Sequence, residues 1–210
     1  LRDMHLAVWR AWAHESTDRG GLEWLIAHRT AQQRQADQPG HEVRQQFRRA
    51  SENPGKLPIV RSLVKQHAGE RVLVIGQYLA QLRAIAKALD APLLTGRTPN
   101  VERERLYAAF RNGEVELLVL SKVGNFAVDL PDASVAIQVS GTFGSRQEEA
   151  QRLGRVLRPK SDGSGATFYS VVTLGSRDQD FSEKRQLFLT EQGYSYEIIH
   201  AESADLEDVA

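Results

Sequence analysis

The chain has 210 residues, 41% of them hydrophobic and 26% charged, enough for one globular domain with appendages. It holds no cysteine, which excludes disulfides, cysteine-ligated zinc and iron–sulfur clusters, and it shows neither a membrane-spanning apolar run nor a signal-peptide pattern, so a cytoplasmic protein with no membrane partner is expected. The zero net charge hides an asymmetry: residues 1–65 carry 11 Lys+Arg against 7 Asp+Glu and residues 66–177 carry 14 against 11, whereas residues 178–210 carry 2 against 9, leaving a mildly basic body compatible with nucleic acid.

In chain order, LAVWRAWAH (Leu6–His14) and LEWLIAHRTAQQRQ (Leu22–Gln35) read as two short helices separated by Asp18-Arg19-Gly20-Gly21. VRQQFRRA (Val43–Ala50) reads as a third. Residues 1–55 are therefore expected to be an N-terminal helical segment, a cap or linker in which Trp9, Trp12 and Trp24 are packing anchors. Asn53–Lys56 is a turn, and the helix PIVRSLVKQH follows. Gly55-Lys56 suggests a phosphate loop only superficially, because the GxxxxGK[ST] spacing is absent and Leu57 follows the lysine.

From Arg71 onward, β-rich runs alternate with amphipathic ones. RVLVIG, APLLTG, VELLVLS, SVAIQVS, ATFYSVV and YEIIH read as strands, and YLAQLRAIAKAL, VERERLYAAFRNG and FSEKRQLFLTEQ as helices. Continuous apolar strands alternating with helices predict an α/β fold, a mostly parallel sheet with helices on both faces. Ligands in such folds meet the loops at the carboxyl ends of the strands. Those loops hold Gly76-Gln77-Tyr78, where the tyrosine is read first as a packing residue, and Thr95-Gly96-Arg97-Thr98, whose hydroxyls, guanidinium and glycine suit sugar–phosphate contact. They also hold SKVGNFAVDLPDA (Ser121–Ala133) and GTFGSRQE (Gly141–Glu148), whose glycines and following helix start suit an anion.

The last loop leads into SRQEEAQRLGRVLRPK (Ser145–Lys160). Ser145 and Glu148 form a capping box, and Pro159 bars continuation, so a helix is expected from Arg146 to Leu157. Ala150, Leu153 and Leu157 fall on one stripe; Gln151, Arg155 and Arg158 fall on another about a quarter-turn away, with Gly154 between them. By spacing alone, Arg152, Arg155 and Arg158 fit either a solvated arginine face or a set of planar charged forks aimed at phosphate.

QRLGRVLR resembles motif VI of superfamily 2 helicases, and the run VSGTFGSRQEEAQRLGRVLRPK is similar to the XPB-type DNA repair and transcription helicases. The resemblance extends over Lys56 to about Ile199 and implies a RecA-like domain at residues 56–200, the second of two motor domains, followed by an acidic tail at 201–210. By position, residues 1–55 are similar to the helical thumb of such proteins. ATP with Mg2+ is the implied ligand, bound between the two domains, with the phosphate loop and the metal ligands in the first. Arg155 and Arg158 match the arginine-finger positions; Gly124, Asp129, Gln151 and Arg152 match nucleotide-contacting or coupling positions. Thr95, Gly96, Arg97, Ser121, Lys122 and Thr142 match the DNA-contacting loops. Asn125 and Phe126 depart from the acidic and small residues commoner in motif V.

Neither a Walker A nor a DExH or DEAD sequence occurs in the chain, which starts at Leu1. A fragment of a longer ATPase, unable to hydrolyse ATP alone, is therefore expected. Its implied partners are DNA, the N-terminal RecA-like domain of the same protein, and a repair nuclease or other repair proteins. The competing expectation is a non-catalytic RecA-like module that binds DNA or protein. A Rossmann dinucleotide protein is disfavoured because VIGQYLAQ stands where GxGxxG would follow the first strand.

Overall fold

The computed structural model describes residues 6–13, 41–121, 133–141, 166–180, 182–183 and 194–200. Seven strands form one sheet: β1 (Leu6–Ala13), β2 (Val72–Gly76), β3 (Leu93–Leu94), β4 (Leu117–Ser121), β5 (Val135–Gln138), β6 (Thr167–Thr173) and β7 (Tyr194–His200), in the spatial order β3-β4-β2-β5-β6-β1-β7. The described helices with defined bounds are α1 (His41–Ser51), α2 (Lys56–Gln66), α3 (Leu79–Ala88) and α4 (Asn100–Arg111).

The five strands from β3 to β6 are mutually parallel. Their continuous apolar runs predict burial on both faces, and β2 and β5 are buried throughout. Side-chain alternation splits the core into two. Val72, Val74, Val119, Val135, Ile137, Tyr169 and Val171 pack with Ile59, Val60 and Leu63 of α2 and Leu82, Ile85 and Ala86 of α3. Leu73, Ile75, Leu118, Leu120, Ala136 and Phe168 pack with Leu106, Tyr107 and Phe110 of α4. Each fully buried Leu, Ile or Phe contributes about 1.5–3 kcal/mol relative to exposure, so the parallel body is held chiefly by these two layers. Gly113, at φ +76°, ends the chain's passage from α4 towards β4 in the left-handed region that glycine tolerates.

One expectation is overturned. Leu6–Ala13 is no helix but β1, which lies between β6 and β7 and runs antiparallel to both. Its register runs from Leu6↔Thr173 to Trp12↔Thr167 on one side and from Ala7↔His200 to Ala13↔Tyr194 on the other. Alanine and arginine favour helix locally, but strand pairing on both sides gives the backbone of Ala7–Trp12 ladder partners that an isolated segment would find only in water. The helix expected at Val43–Ala50 is present within α1. The helix expected from Phe181 starts earlier, with helical residues from Arg177. The expected helices Leu22–Gln35 and Arg146–Leu157 lie outside the described residues, as does the acidic tail.

α1 is fastened to the body by its carboxyl end. Phe47 is fully buried. The last carbonyls of a helix have no intrahelical partner; here Thr173 Oγ1 donates to the Ala50 carbonyl at 2.7 Å and Gln81 Nε2 donates to the Ser51 carbonyl at 2.7 Å.

Candidate functional site

Because β2, β3, β4 and β5 are parallel, their carboxyl ends share one edge of the sheet. The register places Leu94 beside Leu120, Gly76 beside Ser121, and Ile75 beside Gln138. The loops holding the sequence-predicted residues therefore start side by side.

After β3, the Thr95–Thr98 turn is built from its own hydroxyls. The Thr95 amide donates to Thr98 Oγ1 at 3.0 Å, the Arg97 amide donates to Thr95 Oγ1 at 3.1 Å, and the Thr98 amide donates to the Thr95 carbonyl at 3.2 Å. Arg103, one turn into α4, clamps it by donating to the carbonyls of Thr95 and Thr98, each at 3.2 Å. Both hydroxyls thus accept within the turn and keep their own protons to donate. Gly96 and Arg97 are exposed, so the guanidinium projects from a rigid base.

After β4, Ser121 is buried, and its Oγ has no partner among the described residues. A buried hydroxyl without a hydrogen bond is costly, so its position at the end of a strand that opens onto this edge is chemically notable.

At the ends of β2 and β5 two backbone amides are paired within the protein. The Gln77 amide donates to Ser140 Oγ at 2.8 Å, and the Val139 amide donates to the Ile75 carbonyl at 2.9 Å. Gly76 sits where an added Cβ would lie 2.9 Å from each of Ser140 Oγ, Val139 Cγ2 and Leu82 Cδ2. Only glycine allows that approach. Lys56, dismissed above as part of a phosphate loop, donates from Nζ to Asp178 Oδ2 at 2.6 Å and to the Val139 carbonyl at 2.8 Å, with side chains only 1% and 2% exposed.

Tyr78 faces α1. The Arg48 guanidinium lies 5.6 Å from its ring centroid and pairs with Glu52 at 2.7 Å. Burial, with the Glu52 carboxylate adding to it and Arg48 opposing, pushes the Tyr78 phenol up to about 12. Burial likewise raises the phenol of Tyr107 on α4. The packing role read for Tyr78 is thus accompanied by a cation–π contact to the N-terminal segment.

Residues 37–209 match a family model described as the ERCC3/RAD25/XPB C-terminal helicase. The chain belongs to that family. In sequence it is 57% identical over 161 residues to the DNA 3'-5' helicase XPB of Kineococcus radiotolerans and 55% identical over 161 residues to that of Mycobacterium tuberculosis, in each case over 77% of this chain and 29% of the relative. This XPB-family chain thus spans 29% of the length of those two bacterial relatives. In structure it is similar to the RNA-helicase Prp28 from Chaetomium thermophilum bound to ADP, with a TM-score of 0.54 and 18% identity over 67% of this chain and 35% of that one. That likeness bears on the fold, the parallel α/β sheet expected from the alternating strands and helices and the RecA-like architecture that the helicase resemblance implied.

Of the residues singled out by sequence, Thr95, Gly96, Arg97 and Ser121 are described and converge on the one edge of this XPB-family domain. Lys122, Gly124, Asp129, Thr142, Gln151, Arg152, Arg155 and Arg158 lie outside the described residues. Sequence reasoning missed Arg103, Ser140 and Asp178. Arg103 was legible only as a helical arginine, and Asp178 lies 122 residues from its partner. Among the described residues, no group of three His, Cys, Asp or Glu side chains is arranged to hold a metal, and no helix is long and apolar enough to cross a membrane.

Proposed function

We propose that this chain is the second motor domain of an ATP-dependent 3′ to 5′ DNA helicase or translocase acting in DNA repair. The observation that carries the reading is the helicase-family match over residues 37–209, on a sheet whose predicted contact loops begin along one edge. The first RecA-like domain of the same protein would supply the phosphate loop and the ligands of Mg2+, which offsets charge on the nucleotide phosphates. This chain would contribute no metal ligand and would be inactive alone.

Arg155 and Arg158 are the fingers that stabilise charge developing on the transferred γ-phosphoryl group. Asp129 accepts from the ribose hydroxyls, and Gly124 lets the backbone approach phosphate. Gln151 and Arg152 position and couple. Arg97, held out by the Arg103-clamped turn, meets the DNA backbone together with Thr95, Gly96, Ser121, Lys122 and Thr142. Partners are DNA and the first motor domain, with a repair nuclease or other repair proteins beyond them, and the setting is the cytoplasm and its nucleoid DNA.

The test is DNA-stimulated ATP hydrolysis by the full-length protein, wild type beside Arg155→Ala and Arg158→Ala, with the isolated 210-residue chain as control. A fall of about 10³-fold or more in kcat in both variants is expected, with ATP binding retained and the isolated chain inactive. Undiminished turnover would replace this reading with a non-catalytic binding module.

A further inference from the structure

Three strand ends on the functional edge are tied together by buried polar groups that the proposed chemistry does not use. Lys56 Nζ, at the first residue of α2, holds the Val139 carbonyl just beyond β5 and the Asp178 carboxylate in the helical turn after β6. Asp178 Oδ2 also accepts from the Thr173 amide at 3.2 Å, at the end of β6. One residue further along, Ser140 Oγ accepts the Gln77 amide from the loop after β2. Gly76 lets these loops close on one another, since a Cβ there would collide with Ser140 and Val139.

A buried ion pair of this kind is a poor source of stability, because the cost of removing two charges from water offsets most of their attraction, and a well-packed apolar pair often does as well. Its distinctive contribution is directional. The Lys56 ammonium accepts only a narrow range of positions for the Val139 carbonyl, and the Ser140 hydroxyl only a narrow range for the Gln77 amide. Together they fix where the chain leaves β5 at Gly141 and how that exit sits against Gln77 and Tyr78.

We infer that Lys56, Asp178 and Ser140 are positioning residues, a buried brace that sets the exit of the chain from β5 and thereby aligns the segment carrying Arg155 and Arg158 for phosphoryl transfer. This rests on the finger role proposed above. A displacement of about an ångström far from the reacting atoms can cost up to 10²-fold in rate, so the brace acts on kcat through geometry.

The experiment uses the full-length protein with three changes: Ser140→Ala, the apolar double variant Lys56→Met with Asp178→Leu, and Arg155→Ala as reference. DNA-stimulated kcat and KM for ATP are measured beside the melting temperature and the hydrogen-exchange rate of the Gln77 amide. The expected result is a melting temperature close to wild type in Ser140→Ala and in the double variant, faster Gln77 exchange in Ser140→Ala, and a kcat lowered about ten- to hundredfold with KM little changed. Ser140→Ala removes a single oxygen and keeps the test decisive if the double variant does not fold. Wild-type kcat in the well-folded brace variants, with Arg155→Ala inactive, would overturn the brace and leave the finger role standing. Wild-type kcat in Arg155→Ala as well would overturn both.

Discussion

The two halves of the functional edge are built from similar polar residues and are used differently. At the ends of β2, β5 and β6, Lys56 pairs with Asp178 and Ser140 pairs with the Gln77 backbone amide, with the Lys56, Asp178 and Ser140 side chains buried. At the ends of β3 and β4, Arg97 projects into solvent and the Ser121 hydroxyl has no partner among the described residues. Hydrogen-bonding capacity that is spent inside the protein shapes a site, whereas capacity left unspent at a strand end is what a ligand can use. Motif-based reading ranks residues by type; the contrast here ranks them by availability.

The comparison breaks most visibly on the sealed side. Lys56→Met alone would strand a buried carboxylate and should cost about 3–5 kcal/mol in denaturant unfolding, whereas adding Asp178→Leu should recover most of the loss. Recovery is the sharper half of the test, since two ordinary packing losses would add. Gly76→Ala follows, with a loss of about 1–3 kcal/mol, because three neighbours must give way at once.

On the open side the effects on stability shrink and those on binding take over. Arg103→Ala removes two bonds to the Thr95–Thr98 turn and should cost about 1 kcal/mol, while weakening single-stranded DNA binding by loosening the base of Arg97. Arg97→Ala should leave stability within about 0.5 kcal/mol, yet reduce DNA affinity and lower the slope of log K against log salt by about 1. Equal salt slopes for wild type and Arg97→Ala would remove Arg97 from the DNA contacts.

The smallest effect is a pH dependence at Tyr78, between the two regions and against α1. Its folded pKa is raised to about 12 from an ordinary value of 10.0. The neutral phenol is therefore favoured in the folded state, and its contribution is complete below pH 10 and lost as pH rises towards 12. Tyr78→Phe should flatten that part of the stability curve; an unchanged slope would mean that Tyr78 ionises as freely in the folded protein as in the unfolded one.

Much of the fold was legible because its parallel half is written in local pattern. Apolar runs such as Val72–Ile75 and Leu117–Leu120 can be satisfied only by burial on both faces, and the spacing of Leu82, Ile85 and Ala86 has one helical solution. The turn at Thr95–Thr98 was legible in residue type, but its clamp was not. Arg103 differs in no local respect from the exposed Arg105, which pairs with Glu102 on the outer face of the same helix. The family-bearing run at Ser145–Lys160 was the most informative stretch of the sequence, and it lies outside the described residues.

By itself, then, the sequence determined the order of the described strands and helices from Arg71 to Thr173, the parallel class of sheet they form and the helicase family, since all three rest on residues near one another along the chain. Tertiary structure decided the rest. Leu6–Ala13 became a strand because β6 and β7 offered it two ladders, against the local preference of its alanines. Lys56 became a buried brace because a carboxylate 122 residues away met it at 2.6 Å. Local preference is worth tenths of a kcal/mol per residue, and pairing or burial made across the fold outweighs it; such contacts exist only once the chain has closed on itself.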